Sequence, residues 1–217
     1  MAVETTGFEA EPSQREWWLR ALLVLQAPRS AFAALRDDSE LLAQARQETV
    51  LAIVWLAGIA VVLSTNQAAA LLDDFEIDGL VLAIWAYLAG GFHGLAGYFM
   101  LGALLLFGLS LVGGTGTYRR ARHVLAFAAM PLVASLAIWP VRLAAYGGDS
   151  FRTGGSDTGT GNRIFEALEV GFLAWALVLL VVGVQTVYRL SWPRAAAAAV
   201  PVAVVPALAL SRAYGLF

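Results

Sequence analysis

The chain has 217 residues, 59% hydrophobic and only 14% charged, with a mean hydropathy of +0.71, whereas an ordinary soluble domain is roughly 25% charged. A bilayer core about 30 Å thick takes roughly 20 mainly apolar residues per helical crossing, so this length holds several crossings and no large soluble domain. All 14 basic residues are arginine, cysteine is absent and the net charge is −2, which excludes a GxxxxGK[ST] phosphate loop, a Schiff-base lysine, disulfides, thiolate metal sites and a cysteine nucleophile.

His93 and His123 stand thirty residues apart, so neither HExxH nor a close histidine pair offers itself to a metal, and GxSxG is missing. No catalytic residue, metal ligand or cofactor is assigned, and an enzyme is not expected.

In chain order, residues 1–12 read as a disordered acidic lead with Glu4, Glu9 and Glu11. A signal peptide would put basic residues ahead of a short apolar run; this start is acidic, so the N-terminus is expected to be retained. Ser13-Gln14-Arg15-Glu16 fits a capping box, in which the serine and glutamate side chains satisfy free amides of a first helical turn. The helix it opens, Trp17 to Leu25, is stopped by Pro28 at about half the length of a crossing. Its paired tryptophans, with Arg15 and Arg20, suit either a helix at the lipid headgroups or one packed on a bundle. Residues 30–48 mix charges with apolar Phe32, Leu35, Leu41 and Leu42, giving two short amphipathic stretches, the second leading into a membrane helix without a strong breaker. Residues 13–48 are thus expected to be amphipathic helices at the cytoplasmic surface.

Residues 49–212 are expected to form an all-α polytopic bundle of five transmembrane helices. The first crossing runs from Thr49 to about Leu72, and Asp73, Asp74, Glu76 and Asp78 follow as an acidic loop. Gly79 to Gly114 is almost uncharged and would make about 50 Å of helix, which predicts one crossing broken near Gly90-Gly91, with six crossings in all as the competing layout. The third crossing spans His123 to about Tyr146, interrupted by Pro131 and Pro140; the fourth spans Ile164 to Tyr188 and the fifth Ala195 to Leu210. Arginines near span ends stay on the cytoplasmic side. Arg119, Arg120 and Arg122, then Arg189 and Arg194, then the N-terminal Arg15, Arg20, Arg29, Arg36 and Arg46 all fall on one side of a five-crossing layout. The N-terminus is therefore placed in the cytoplasm, the C-terminus outside, and the protein in the cell membrane.

Three stretches together carry a family likeness. They are Leu22-Leu23-Val24-Leu25-Gln26-Ala27-Pro28 followed by Phe32 and Leu35; Gly113-Gly114-Thr115-Gly116-Thr117-Tyr118-Arg119-Arg120-Ala121-Arg122-His123 followed by Pro131; and Trp175 with Gly183, Gln185, Tyr188, Ser191 and Arg194-Ala195. In their order and five-crossing layout the chain resembles the Yip1 family of small membrane proteins, in its prokaryotic form, over roughly residues 15–210. The Asp-Leu-Tyr-Gly-Pro stretch of eukaryotic members is missing, with only Pro28 at a comparable place. The resemblance implies a membrane protein; eukaryotic relatives associate with prenylated Rab-type GTPases in vesicle traffic, and prokaryotic members are largely without an assigned activity.

Several polar residues stand out as candidates. Arg142 near the outer end of the third crossing either snorkels or pairs with Glu166 or Glu169, and such a pair would border an aqueous pocket. His93 and Gln185 lie inside apolar runs, where each needs a hydrogen-bond partner. His93, Arg142, Gln185, Glu166 and Glu169 are the candidate intramembrane polar site. Gly90 and Gly94 form a GxxxG that Gly97 extends, expected to pack within the chain. The glycine-rich turn before Arg119, Arg120 and Arg122 is either a positive-inside loop or a cradle for a phosphate, and those three arginines are the candidate contact for anionic lipid or a partner. The expectation is a non-catalytic protein that organises the membrane or recruits a protein partner at its cytoplasmic face. Its partners would be lipids and protein rather than nucleic acid, and the alternative is a transporter or channel for a small solute or lipid.

Overall fold

In a computed structural model, residues 14–64, 79–147 and 159–213 are described, and every regular element among them is helical. The acidic lead 1–12, Ser13 of the capping box, the acidic loop 73–78 and most of the loop 147–163 lie outside the described residues.

Three short helices come first: α1 (Gln14–Leu23), α2 (Pro28–Ala33) with a 3-10 turn at Ala34–Arg36, and α3 (Glu40–Ala45). Pro28 opens α2 from its first turn, where its missing amide costs nothing. α1 is apolar on two sides. Trp17, Ala21 and Val24 are buried, while Trp18, Leu19, Leu22 and Leu23 are exposed. The helix therefore packs on the bundle with one face and keeps a second apolar face outward, rather than dividing into apolar and polar sides. Phe32 and Leu35 are buried, but Leu41 is exposed.

α3 meets α4 (Gln47–Leu63) across the single residue Arg46, so the two are nearly continuous, as the absence of a breaker predicts. α5 (Gly79–Leu111) is one helix of 33 residues. The break expected at Gly90-Gly91 does not occur. A helical glycine costs only about 1 kcal/mol relative to alanine, and here the glycines let two backbones touch. A Cβ at Gly58 of α4 would collide with Gly90 and Gly94, and one at Gly91 with the Trp55 ring. The GxxxG is thus an antiparallel seam within the chain. Gly97 is not part of it, since no atom lies within reach of an added Cβ there.

The next segment is jointed: α6 (Tyr118–Ala128), α7 (Met130–Ser135) and α8 (Ile138–Tyr146). The joints precede Pro131 and Pro140, whose missing amides and ring clashes interrupt the ladder. α9 (Thr160–Tyr188) follows, and α10 (Trp192–Ala213) contains Pro201 and Pro206 without losing its helical run. Three stretches are long and apolar enough to cross a membrane: α5, the α6–α8 segment and α9. α4 and Trp192–Leu208 of α10 are shorter apolar helices.

One end of the bundle gathers the start of α4, the start of α6, the end of α9 and the start of α10. There Arg36 Nε donates to the Thr186 carbonyl at 3.0 Å, an added Cβ at Gly116 would strike the Tyr188 ring, and Gly108 lies against Ala198. At the other end Arg142 of α8 meets Glu169 of α9, and the Tyr146 and Phe165 rings pack edge to face. Trp17, Phe32, Leu35, Leu105, Leu109 and Phe127 build the core beneath the arginine-rich end.

Candidate interaction face at the arginine-rich end

The turn between α5 and α6 builds this face. Gly113 sits in the left-handed region at φ 74°, the conformation that ends helices and that glycine adopts freely. It turns the Gly113 amide onto the Ser110 carbonyl at 3.2 Å and the Gly114 amide onto Leu109 at 2.8 Å. Thr117 then caps α6, its Oγ1 accepting from the Arg120 amide at 3.1 Å. Those three amides are therefore engaged within the chain and are not free to hold a phosphate.

The Thr117 hydroxyl also donates to Asp38 Oδ2 at 2.5 Å, which draws in the N-terminal segment. Asp38 Oδ1 accepts from Arg46 Nη2 at 2.8 Å and from Arg119 Nε at 3.2 Å. Arg119 further donates to the Asp38 carbonyl at 2.7 Å and to Glu40 Oε2 at 2.6 Å. Arg46 has no exposed surface and uses its whole fork, with Nη1 on the Asp37 carbonyl at 2.9 Å and Nε on His123 Nδ1 at 2.8 Å. A guanidinium can only donate, so His123 Nδ1 accepts and the neutral ring carries its proton on Nε2. Burial pulls the Arg46 pKa down while the Asp38 carboxylate holds it up; the group stays charged, as arginine does in proteins. Asp37 is exposed, and the Ser39 amide, donating at 2.9 Å, keeps its carboxyl below the ordinary range.

Aromatic rings close the arrangement. Trp17 lies under Arg20 at 4.7 Å and Arg46 at 5.5 Å, edge-on to Phe127 at 6.1 Å, so the charge cluster also fixes α1. Arg122 lies over Tyr118, Phe99 and Tyr98 at 4.6, 4.7 and 5.0 Å, and Tyr118 donates its hydroxyl to the Phe99 carbonyl at 2.7 Å.

The three arginines singled out from the sequence thus stand in different situations. Arg119 is spent on Asp38 and Glu40, Arg122 is caged by rings, and Arg120 is half-buried. Asp38, Arg46 and His123, which tie the cluster together, were not among the sequence candidates. The available signal was an arginine directly before an apolar run with an acidic pair eight and nine residues upstream, and a histidine opening a later run.

The candidate intramembrane site divides. Arg142 Nη2 donates to Asn162 Oδ1 at 2.8 Å, Nη1 lies 3.6 Å from Glu169 Oε1, and Asn162 Nδ2 donates to Glu166 Oε1 at 2.8 Å. Arg142, Glu166 and Glu169 are therefore brought together, with Asn162 as the link. His93 and Gln185 are not. His93 is exposed and bonds the Ala89 carbonyl of its own helix at 2.8 Å. Gln185 is half-buried, makes no interhelical hydrogen bond among the described residues, and lies about 24 Å along α9 from Glu169 at 1.5 Å per residue. Among the described residues no group of three His, Asp or Glu side chains is placed to hold a metal ion.

The Yip1 domain matches residues 22–212. The chain belongs to the Yip1 family. No curated protein and no solved structure gave a match. The Yip1 domain takes in Asp38, Arg46, the arginine-rich turn and His123, so the whole charge cluster lies inside it. With three helices long and apolar enough to cross a bilayer, this member is a membrane protein.

Proposed function

We propose that this Yip1-family member is a five-crossing cell-membrane protein, N-terminus in the cytoplasm and C-terminus outside, which works without catalysis by recruiting a protein partner at its cytoplasmic face. α4 and α10 are the two further crossings. The 17 residues of α4 give about 26 Å of helix, near the thickness of a bilayer core, and Arg46 and Glu48 mark its polar edge. The arginines of three separate segments gather at one end of the bundle, which supports placing that end inside.

The observation that carries the recruiting role is the buried Arg46 fork. It binds the 37–38 segment to His123 of α6, while Asp38 also holds Thr117 and Arg119 at the start of that helix, so the face is preformed instead of being ordered on binding, and preorganisation lowers the cost of association. The same face carries the outward apolar residues Trp18, Leu19, Leu22 and Leu23 of α1, a contiguous patch of the kind that marks interaction surfaces.

Site-specific photocrosslinking in native membranes tests this reading. A crosslinker at Leu19 or Leu22 is expected to give a discrete protein adduct that disappears in Arg46→Ala, whereas one at Val178, exposed on α9, gives only lipid. Lipid adducts alone at Leu19 and Leu22 would overturn recruitment.

A further inference from the structure

We infer that a hollow of about 190 Å³ beside Arg122 binds the phosphate of an anionic phospholipid, with Arg122 and His123 as its donors. The inference deepens the reading above and rests on it for the leaflet from which the lipid comes.

The charge balance around the hollow selects an anion. Glu40, the carboxylate on its wall, is already held by Arg119, and Asp38 behind it is shared between Arg46 and Arg119. Arg122 has no carboxylate partner among the described residues. Three aromatic faces stabilise its charge, yet they supply no acceptor in the plane of the guanidinium, and its Nε is buried without one. His123 is 5% exposed and lines the same hollow. Because Nδ1 is committed to Arg46, Nε2 is left as a donor with no partner among the described residues. Arg122 and His123, one of them fully charged, thus line a space whose one wall carboxylate, Glu40, is already held by Arg119, and donors left without a partner call for an acceptor.

The lining further distinguishes a lipid from a free anion. Gln44 of α3 and Gln47 at the start of α4 form a polar rim, while Val50, Leu51 and Phe99 form an apolar side. Leu51 and Phe99 are also exposed on the outer flanks of α4 and α5, so the apolar side continues toward where acyl chains would lie. The hollow is at the start of α4, where the polar segment gives way to the apolar run. Phosphate at the donors with a chain running down past Leu51 and Phe99 uses both halves of the lining; inorganic phosphate uses only one. Arg119 and Arg120 are not required as ligands in this arrangement.

The test uses the full chain in nanodiscs of phosphatidylcholine with or without phosphatidylglycerol, reading retained lipid by native mass spectrometry. The wild type is expected to retain phosphatidylglycerol over phosphatidylcholine by roughly tenfold, the scale of a charge-assisted hydrogen bond. Arg122→Gln should abolish the preference and Arg120→Gln should leave it. Since Arg122 also packs on three rings, Gln44→Glu is the second variant: it adds a carboxylate to the exposed rim without touching the cage and should likewise abolish the preference. No preference in the wild type, or a preference that survives Gln44→Glu, overturns the proposal. Displacement of phosphatidylglycerol by excess inorganic phosphate overturns the lipid assignment in favour of a soluble phosphate. Nanodiscs open both faces to solvent and contain no partner, so failure here is distinguishable from failure of the orientation or of recruitment.

Discussion

Arg46 is a full charge with no exposed surface, compensated by three acceptors from two parts of the chain, the adjacent Asp37 and Asp38 and the distant His123. Removing one partner of such a buried pair costs about 3–5 kcal/mol, because the remaining charge stays buried and unpaired. Asp38→Ala is therefore expected to lower stability by about that amount, measured by thermal unfolding in detergent. Arg46→Lys should recover little, since one ammonium cannot reproduce a planar fork that spans His123, Asp37 and Asp38. Asp37 gives a prediction in pH. Its folded pKa is lowered by the Ser39 amide, so the support it lends the 37–39 turn is complete above the ordinary carboxylate range and is lost as pH falls through the lowered value. Limited proteolysis near the turn should increase on that acid side in the wild type, and Asp37→Asn should flatten the dependence. At this scale the sequence was least legible. Arg46 and His123 are 77 positions apart, and an arginine before an apolar run looks the same whether it faces water or lies buried over the Trp17 ring. The Arg142 pair was easier to foresee, because a charge near a helix end has few possible partners, and Glu166 and Glu169 stand at the start of the next apolar run.

Elements follow the sequence where apolar length and proline decide them. The α6–α8 joints fall just before Pro131 and Pro140, and α4 begins one residue after α3, because nothing between them stops a helix. The unbroken α5 differs from expectation for a tertiary reason: Gly90, Gly91 and Gly94 answer to Gly58 and Trp55 of α4, a partnership invisible in the run itself. Gly94→Leu should therefore separate α4 from α5 and cost at least the 1–3 kcal/mol typical of overpacking, roughly. Gly97→Ala should be silent or slightly stabilising, and thermal unfolding distinguishes the two. The same logic separates the neighbouring tryptophans of α1. Trp17→Ala empties a core site and should cost about 3–5 kcal/mol, while Trp18→Ala should change stability by no more than about 0.5 kcal/mol and instead weaken whatever α1 contacts with its outer face.

At the scale of the whole molecule, the bundle has a polar cluster at each end. The residues that motivated a transport pathway do not share a space: Arg142 belongs to one end, Gln185 lies toward the other, and His93 is on the outer surface of α5. The protein's weight of specific interaction is at the arginine-rich end, where α1 to α3 are joined to the turn before α6, and both the proposed recruiting face and the proposed lipid hollow lie there. That joining requires the N-terminal segment, the α5–α6 turn and the α9–α10 turn to lie on one side of the membrane. The chain is free of cysteine, so side-specific labelling of single cysteines needs no background correction. The decisive measurement places one cysteine at a time at Gln44, Tyr118, Ser191 and Thr160 and applies an impermeant thiol reagent to intact and to inverted membranes. The account predicts that Gln44, Tyr118 and Ser191 label only from the cytoplasmic side and Thr160 only from the opposite side; labelling of Gln44 and Tyr118 from opposite sides would contradict it.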